Sequence, residues 1–222
     1  MVRQDSISTV KRWASAFVLV LCGAAMCGAG NGPGIGLKVG AQTLTSPLTE
    51  ARVTKARFEL EICSARLLDD RVDLALAFGF SPLGTLSSES SGVEDGFFVD
   101  TSSKDDVSLY DLRVAARYYP LGADRRRLSP YVGAGFGYFL CADAWRDIVT
   151  VTDPESSAAA TETDQGTTTV AQGLFPFVTA GLNVPLSNRA EVLLEFGYDF
   201  EKKDSGFDLG GPFALIGCRF RW

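Results

Sequence analysis

The sequence predicts an all-β protein: an eight-stranded antiparallel up-and-down transmembrane β-barrel, preceded by an N-terminal signal peptide. Eight segments alternate apolar and polar residues with a period of two. The polar side of several segments is charged, and no segment has the apolar spacing of a long helix. A barrel that is apolar outside and polar inside accounts for these observations together, because the apolar side then meets lipid while the charged side is sheltered.

The first 29 residues predict a secretory signal peptide. Basic residues occur up to Arg12, and an apolar run follows from Trp13 to Met26. That run is too short and too rich in small residues to span a membrane. Small residues place the cleavage site between about residues 25 and 29. We therefore divide the chain into a signal peptide, 1–29, and one outer-membrane β-barrel domain, 30–222.

Composition excludes several function classes. The formal charge of the chain is -6, and residues 1–29 carry three basic side chains and one acidic side chain, so the mature part has -6 minus +2, or -8. An acidic protein lacks the basic face that nucleic acids require. The chain contains no histidine, which removes the usual nucleophilic triads and histidine metal sites. We predict no enzyme activity, no catalytic residue, no cofactor and no metal.

Alternation is clearest in two segments. In the segment around Phe58, apolar residues at every second position alternate with charged residues. In the segment around Leu112, apolar residues alternate in the same way with Asp111, Arg113 and Arg117. The eight predicted strands are 35–45, 54–66, 72–80, 110–118, 130–143, 174–186, 190–200 and 213–222. The inward glycines Gly133, Gly135 and Gly137 are expected to leave room for long arginines opposite them.

The connections between the predicted strands alternate in length, and each odd link is longer than the even link after it. Outer-membrane barrels alternate short periplasmic turns with longer outside loops in this way, so both termini are expected on the periplasmic side. The two largest loops, Ser87–Asp106 and Asp147–Gln172, are rich in serine, threonine and acids. We expect them to be mobile, because they bury too little surface to offset their conformational entropy.

Aromatic residues near the strand ends predict a girdle at each lipid interface. The expected periplasmic group is Tyr118, Tyr119, Tyr131 and Trp222. The expected group at the other rim is Phe80, Trp145, Tyr198 and Phe200.

Inward-facing charges predict a network of ion pairs inside the barrel. There are six basic and six acidic residues: Lys38, Arg57, Arg113, Arg117, Arg219, Arg221, Glu59, Glu61, Asp73, Asp111, Glu191 and Glu195. An eight-stranded barrel is just wide enough to be filled by its own side chains, and an unpaired buried charge costs several kcal/mol. We expect Glu191 and Glu195 to reach Arg219 and Arg221 and to close the periplasmic floor. Paired carboxylates could also serve acid–base chemistry, but the matching arginines favour a structural role.

The strand sequences "LRVAARYYPLG", "PYVGAGFGYF", "LLEFGYDF" and the final "ALIGCRFRW" resemble the outer-membrane protein β-barrel domain family, which includes OmpA-like and opacity-type surface proteins. The resemblance covers nearly all of the mature chain. It implies an eight-stranded barrel in the bacterial outer membrane. It also implies that the C-terminal aromatic residues Phe220 and Trp222 are an assembly signal read by the barrel assembly machinery.

These observations favour a non-enzymatic outer-membrane protein that gives structure to the envelope and presents mobile surface loops for binding or adhesion. Expected partners are outer-membrane lipid and the barrel assembly machinery, and the loops could take an extracellular ligand. A narrow porin-like channel for ions or small solutes is the main alternative. A soluble lipocalin-type carrier would have an apolar interior, the reverse of the strands seen here. An enzyme acting on lipid A is the most distant alternative.

Overall fold

The computed structural model describes residues 32–46, 50–122, 127–156, 158–200, 203–204 and 207–222. The predicted signal peptide, 1–29, lies outside the described residues. Regular structure in the described ranges consists of β-strands and turns. None of these ranges holds a helix that could span a membrane.

The described ranges contain ten strands. They are β1 (Gly34–Thr45), β2 (Arg52–Cys63), β3 (Val72–Glu94), β4 (Phe97–Tyr118), β5 (Ser129–Thr152), β6 (Ala159–Pro185), β7 (Ala190–Asp199), β8 (Lys203–Asp204), β9 (Phe207–Asp208) and β10 (Gly211–Arg221). The short pair β8 and β9 lies in the link between β7 and β10 and forms its own two-stranded sheet.

The other eight strands form a closed antiparallel ring in the order β1-β10-β7-β6-β5-β4-β3-β2. Closure is made by β1 and β10, whose pairing runs from Gly34 opposite Arg221 to Gln42 opposite Phe213. Each strand pairs with its neighbours along the chain, which is the up-and-down connectivity. The fold-class prediction is confirmed. We call the end that holds Gly34 and Arg221 the terminal end and the opposite end the far end.

Strand alternation places apolar side chains on the outer wall, as the sequence predicts. In β2, Phe58 and Leu60 are 47% and 41% exposed, whereas Arg57 and Glu61 on either side of them are fully buried. The same parity holds in β10, where Ile216 and Phe220 face outward. Successive side chains of a strand point to opposite faces, so a closed ring converts this parity into an apolar wall and a polar lumen.

The two longest predicted loops are strands. Beyond the barrel rim, β3 pairs with β4 up to Glu94 opposite Phe97, and β5 pairs with β6 up to Thr152 opposite Ala159. The inner strands β4 and β5 pair with each other as far as Phe98 opposite Thr152. The expectation of mobile loops over Ser87–Asp106 and Asp147–Gln172 is therefore wrong: backbone pairing and β-branched residues extend both hairpins into one four-stranded sheet.

The tip of the β3–β4 hairpin is a two-residue turn with a clear sequence signal. Asp95 and Gly96 have φ angles of 47° and 88°. A type I′ turn requires positive φ at both central positions, and Asp-Gly is a preferred pair there. This dipeptide lies near the middle of the predicted loop Ser87–Asp106, where it marks the hairpin reversal.

Two register shifts lie where the barrel gives way to the projecting sheet. One leaves Leu83 of β3 as an extra residue between Pro82 and Gly84, and the other leaves Val170 of β6 as an extra residue opposite Cys141 and Ala142 of β5. The first leaves Leu83 fully buried. Bulges bend a strand and re-aim side chains at barrel rims.

The predicted aromatic girdle is confirmed only in part. Tyr118, Tyr198 and Trp222 are exposed on the outer wall, between 42% and 66%. Tyr119 and Tyr131, which we assigned to the periplasmic girdle, are 0% and 2% exposed and face the lumen. Trp145, which we assigned to the girdle at the other rim, also has lumen-side parity. The parity of the strands gives the reason, because all three residues are odd-numbered neighbours of outward-facing even-numbered residues.

Candidate functional site

The lumen holds all twelve charged residues of the predicted network, each at most 8% exposed. The structure adds one further base and one further acid, Arg66 and Asp199. Among the described residues the buried charges are thus seven basic and seven acidic. Equal numbers allow each buried charge to find an opposite partner, which offsets the desolvation penalty.

The first charged layer closes the terminal end. Arg221 donates from Nε to Glu191 at 3.0 Å and from Nη2 to Asp73 at 3.0 Å. Tyr119 donates its hydroxyl to Asp73 at 2.9 Å, and Arg66 reaches Glu191 at 3.3 Å. The Arg66 guanidinium lies over the Tyr119 ring, 5.4 Å from its centroid, a cation–π contact.

The second layer is centred on Glu61, which three cations contact. Arg117 donates from Nη1 at 3.0 Å, Arg219 from Nη2 at 2.5 Å, and Lys38 Nζ lies 2.6 Å away. Arg219 also donates from Nη1 to Glu191 at 2.9 Å, which joins this layer to the first. Hydrogen bonds between ionised groups are stronger than those between neutral groups. Because Arg219 bonds to acids of both layers, the network is continuous from one layer to the next.

Glu195 does not take the place that the sequence analysis gave it. Its carboxylate accepts from Lys38 at 3.0 Å and from the Tyr131 hydroxyl at 2.5 Å. The strand register explains the correction: β7 pairs Glu191 with Arg219, whereas Glu195, four residues further along, pairs with Leu215. The predicted floor contains Glu191 with Arg219 and Arg221, and Glu195 belongs to the layer above it.

The third charged layer lies nearest the far end. Arg57 forms a two-pronged pair with Asp111 at 2.7 and 2.8 Å. Arg113 donates to Asp111 at 2.9 Å and to Asp199 at 2.6 Å. Gln42 links Arg57 to Asp199 across this layer, because it accepts a hydrogen bond from Arg57 at 2.9 Å and donates one to Asp199 at 3.0 Å.

Three aromatic rings surround the guanidinium of Arg113. Its central carbon lies 4.8 Å from the Phe213 centroid, 5.0 Å from Phe177 and 5.3 Å from Phe175. A cation over an aromatic face is attracted by the ring quadrupole, and the attraction grows when both are desolvated. Arg113 therefore joins the charged lumen to an apolar far end.

The far end of the lumen is filled by apolar side chains, a layer that the sequence analysis did not anticipate. We call it the apolar plug. Its members are Leu44, Leu83, Val107, Leu109, Phe139, Cys141, Ala171, Phe175, Phe177 and Leu209. The Phe139 and Phe175 rings pack with centroids 6.2 Å apart. The lumen is polar at the terminal end and apolar at the far end.

Several glycines make room in the lumen, some for arginine side chains and others for aromatic rings. A Cβ on Gly79 would lie 2.4 Å from Arg57 Nη2, and one on Gly133 would lie 3.2 Å from Arg117 Cγ. A Cβ on Gly137 would instead lie 2.4 Å from the Phe175 ring. A Cβ on Gly135 would lie 2.9 Å from the Phe177 ring, so the expectation that the β5 glycines accommodate arginines holds for Gly133 but not for Gly135 or Gly137.

Little free space remains in this interior. A cavity of about 10 Å³ lies between Glu59, Arg117, Thr179 and their neighbours. That volume is enough for about one water molecule. The Thr179 hydroxyl has no hydrogen-bond partner among the described residues, so a single water would satisfy it.

The second candidate surface is the four-stranded sheet that projects beyond the far end. Its two faces carry different charges. The face that continues the lumen side has Glu94, Asp105, Asp143, Asp147, Glu162 and Asp164. The face that continues the outer wall has Glu89, Asp100, Lys104, Asp106 and Arg146. Both sets follow from the strand pairings, because directly opposed residues share a face.

Two carboxyl groups at the base of this sheet have perturbed pKa values. Hydrogen bonds from Lys104 and Thr85 lower the pKa of Asp106 on the outer-wall face. On the lumen-side face, partial burial together with the nearby carboxylates of Asp105 and Asp106 raises the pKa of Asp143. The base of the lumen-side face therefore has an excess of negative charge.

Sequence reasoning missed several lumen residues that alternation could have found. Tyr119, Tyr131 and Asp199 all have the parity of inward residues. Arg66 has the even number of an outward residue in the predicted strand 54–66, but β2 ends at Cys63 and parity is lost beyond a strand. Gln42 also has inward parity, but its role as a link between Arg57 and Asp199 follows only from barrel closure.

A closed eight-stranded ring with an apolar outer wall and a charge-paired lumen defines a transmembrane β-barrel of the bacterial outer-membrane type. Strand pairing continues around the whole ring, so the barrel has no open sheet edge, and the outer wall presents apolar side chains to lipid.

No protein-family model and no curated protein sequence matches the chain. Solved structures do. Neisserial surface protein A is 11% identical with a TM-score of 0.54, covering 86% of this chain and 97% of that one. OprG from Pseudomonas aeruginosa is 12% identical with a TM-score of 0.46, covering 87% and 98%. Ail, the attachment invasion locus protein of Yersinia pestis, is 12% identical with a TM-score of 0.42, covering 86% and 100%. The likeness to the Neisserial protein shows the fold.

Proposed function

We propose that this protein is a non-enzymatic outer-membrane barrel that gives structure to the envelope and uses its projecting sheet as a binding or adhesion surface. The observation that carries the proposal is the contrast between the two ends of the molecule. The lumen is filled with paired charges and the apolar plug, whereas β3 to β6 extend beyond the barrel as a sheet. Binding residues in proteins are concentrated on segments that a rigid scaffold positions.

The filled lumen supports a structural rather than a transporting role. A solute crossing it would have to break the ion pairs around Glu61 and then separate the rings of Phe139 and Phe175. Breaking a buried pair costs about 3–5 kcal/mol, because it leaves an uncompensated charge. The barrel is then a rigid support for the sheet that projects beyond its far end.

The extent of the sheet supports a binding role for the far end. The β3–β4 hairpin continues past the bulge at Gly84 to Glu94, and the β5–β6 hairpin continues past Ala142 to Thr152. Barrel closure needs none of these residues, because β2 pairs with β3 only up to Phe80. With the termini on the periplasmic side, the sheet lies outside the cell.

Truncation of both hairpins tests the binding role. In the variant, residues 85–106 and 143–168 are each replaced by an Asn-Gly turn, which closes a two-residue hairpin. We expect the shortened protein to reach the outer membrane and to keep its heat-dependent gel mobility, while cells that express it lose adhesion to surfaces. Variants that shorten one hairpin at a time are the controls. Unchanged adhesion in the double truncation would contradict the binding role.

A narrow channel is the alternative, and the cavity beside Thr179 is the feature that favours it. At about 10 Å³ the cavity holds about one water molecule and forms no continuous path. We expect the purified barrel to pass no steady current in planar bilayers. A steady, single-sized conductance would contradict the filled-lumen proposal and favour transport.

The outward-facing Phe220 and Trp222 support a further part of the proposal, recognition by the barrel assembly machinery. They are 57% and 66% exposed at the end of β10. Their side chains add little to the interior, so a role outside the folded barrel fits their position.

A further inference from the structure

The lumen-side face of the projecting sheet combines unneutralised acids with exposed apolar side chains. Its transverse rows follow from the pairings. One row is Leu86, Asp105, Trp145 and Gly166. The next is Ser88, Ser103, Asp147 and Asp164, followed by Ser90, Thr101, Val149 and Glu162, and then by Gly92, Val99, Val151 and Ala160.

Charge on this face has one sign. The two basic residues of the described hairpin segments, Lys104 and Arg146, both lie on the opposite face, where they pair across β4 and β5. Lys104 there forms an ion pair with Asp106 at 2.8 Å. No salt bridge in the described part of the chain involves the six acids of the lumen-side face.

Asp147 and Asp164 lie directly opposite each other on β5 and β6. Like charges in such a cross-strand pair destabilise a sheet. Glu162 is one row further along the same strand, opposite Val149. The sheet therefore keeps a like-charge arrangement that folding alone disfavours, and a bound cation would relieve it.

The apolar component of the face is equally clear. Trp145 lies across Gly166, where a Cβ would lie 2.8 Å from the indole ring. Leu86 at the base and Phe97 at the tip of the β3–β4 hairpin are 47% and 42% exposed, and Val149 on β5 is partly exposed. Exposed apolar side chains rimmed by charge are typical of interaction sites.

The dimensions of the face suit an extended segment. Four strands at about 4.8 Å spacing and about ten residues at about 3.4 Å give roughly 500 Å². A stable interface between folded proteins needs about 800 Å² from each partner. A second copy of this chain is also disfavoured by charge, because the chain is itself acidic, at -6.

We propose that the lumen-side face of the projecting sheet binds a cationic polypeptide segment in which basic residues alternate with apolar or aromatic ones. The basic side chains pair with Asp105, Asp147, Glu162 and Asp164, and the apolar ones pack against Trp145 and Val149. This inference rests on the proposed binding role of the sheet and names the chemistry of its partner.

A peptide-binding experiment on the full mature protein in uncharged detergent micelles tests it. The probe is a fluorescein-labelled decapeptide of alternating lysine and tyrosine, followed by fluorescence anisotropy, and a glutamate–tyrosine decapeptide is the charge control. We expect the lysine peptide alone to bind, and its binding to weaken between about 0.05 and about 0.5 M salt, because ionic strength screens exposed charges.

Two double variants with the same change in net charge distinguish the faces. Asp147→Asn with Asp164→Asn alters the lumen-side face, and Glu89→Gln with Asp100→Asn alters the opposite face. We expect the first to weaken binding about tenfold and the second to change it less than about twofold. The first should also raise thermal stability, since it removes an opposed carboxylate pair.

Three results would overturn the inference. The first is no binding of the lysine peptide, and the second is an equal loss of binding in both double variants. The third is a loss of binding in the Asp147→Asn, Asp164→Asn variant that is explained by its unfolding. If the hairpin truncation abolishes adhesion while the lysine peptide does not bind, the sheet is a binding surface for another chemistry and only this inference fails. If truncation leaves adhesion unchanged while peptide binding follows the face variants, the adhesion role alone fails.

Discussion

Arg219 shows how one residue depends on the closed ring. Its guanidinium contacts Glu61 at 2.5 Å and Glu191 at 2.9 Å, residues that lie on β2 and β7, the strands to either side of the β1–β10 seam. The side chain is fully buried. In an open sheet these strands would not meet, so the three charges neutralise one another only after closure.

Replacement of Arg219 by alanine should destabilise the barrel. The change leaves Glu191 with Arg66 and Arg221 and leaves Glu61 with two cations, so we expect a loss of about 3 kcal/mol or more in unfolding free energy. The temperature at which heated samples change gel mobility measures this. Arg189→Ala, at an exposed position in the β6–β7 turn, is the matched control. Equal temperatures for the two variants would argue against a stabilising network.

Gly79 should tolerate no side chain. A Cβ there would lie 2.4 Å from Arg57 and 2.6 Å from Asp111, so Gly79→Val should separate this pair and lower stability by about 1–3 kcal/mol. Gly92 on the same strand has open space around it, which makes Gly92→Val the control. Chemical denaturation in micelles compares the two, and similar stabilities would show that the lumen can rearrange around an added side chain.

At the scale of elements, the extensions of β4 and β5 are the inner strands of the projecting sheet, and those of β3 and β6 are its edges. Phe98 to Val107 on β4 pair on both sides, with β3 and with β5. The edge of β6 from Ala159 to Gln172 pairs with β5 only. Edge strands leave a row of backbone groups unpaired.

Hydrogen exchange should distinguish these strands. We expect backbone amides of 99–106 and 144–151 to exchange more slowly than those of 85–93 and 160–168, because the inner strands open only after an edge has separated. Mass spectrometry of the exchanged protein gives the rates by segment. Uniformly fast exchange across all four segments would instead favour the mobile loops that composition alone suggests.

The end of β10 makes a second prediction at this scale. We expect Phe220→Ser with Trp222→Ser to reduce the amount of protein inserted into the outer membrane, while the inserted fraction keeps its heat-dependent mobility. Both side chains face outward, and the lumen partners Arg219 and Arg221 are unchanged. Pulse labelling followed by membrane fractionation measures insertion. The pair Leu37→Ser and Val39→Ser, also on the outer wall, is the control, and an equal reduction in both would remove the case for a C-terminal signal.

For the whole molecule, the charged layers and the apolar plug are two consecutive barriers in one lumen. The plug depends on residues from five strands and the β9–β10 link, whereas the charged layers lie below it. Each barrier alone fills the cross-section, because an eight-stranded barrel has room for little besides its own side chains.

Phe139→Ala should therefore weaken the fold without opening a channel. We expect a loss of about 3–5 kcal/mol in stability, as for other buried phenylalanines, and no steady current in planar bilayers. Arg113 and Asp111 remain paired beneath the cavity that the substitution leaves. A steady current in this variant would show that the plug alone closes the barrel.

The sequence by itself determined the barrel, the sidedness of its strands and the identity of most lumen charges, because a period of two fixes which face each side chain occupies. It did not determine the length of the two hairpins, whose polar composition resembles that of loops although Asp95 and Gly96 mark a tight turn. The pairing of Glu195 with Lys38, the inclusion of Arg66 and the apolar plug were decided by the tertiary structure. Parity gives a face but not a height along the barrel axis, and only the strand register and ring closure set which lumen residues meet.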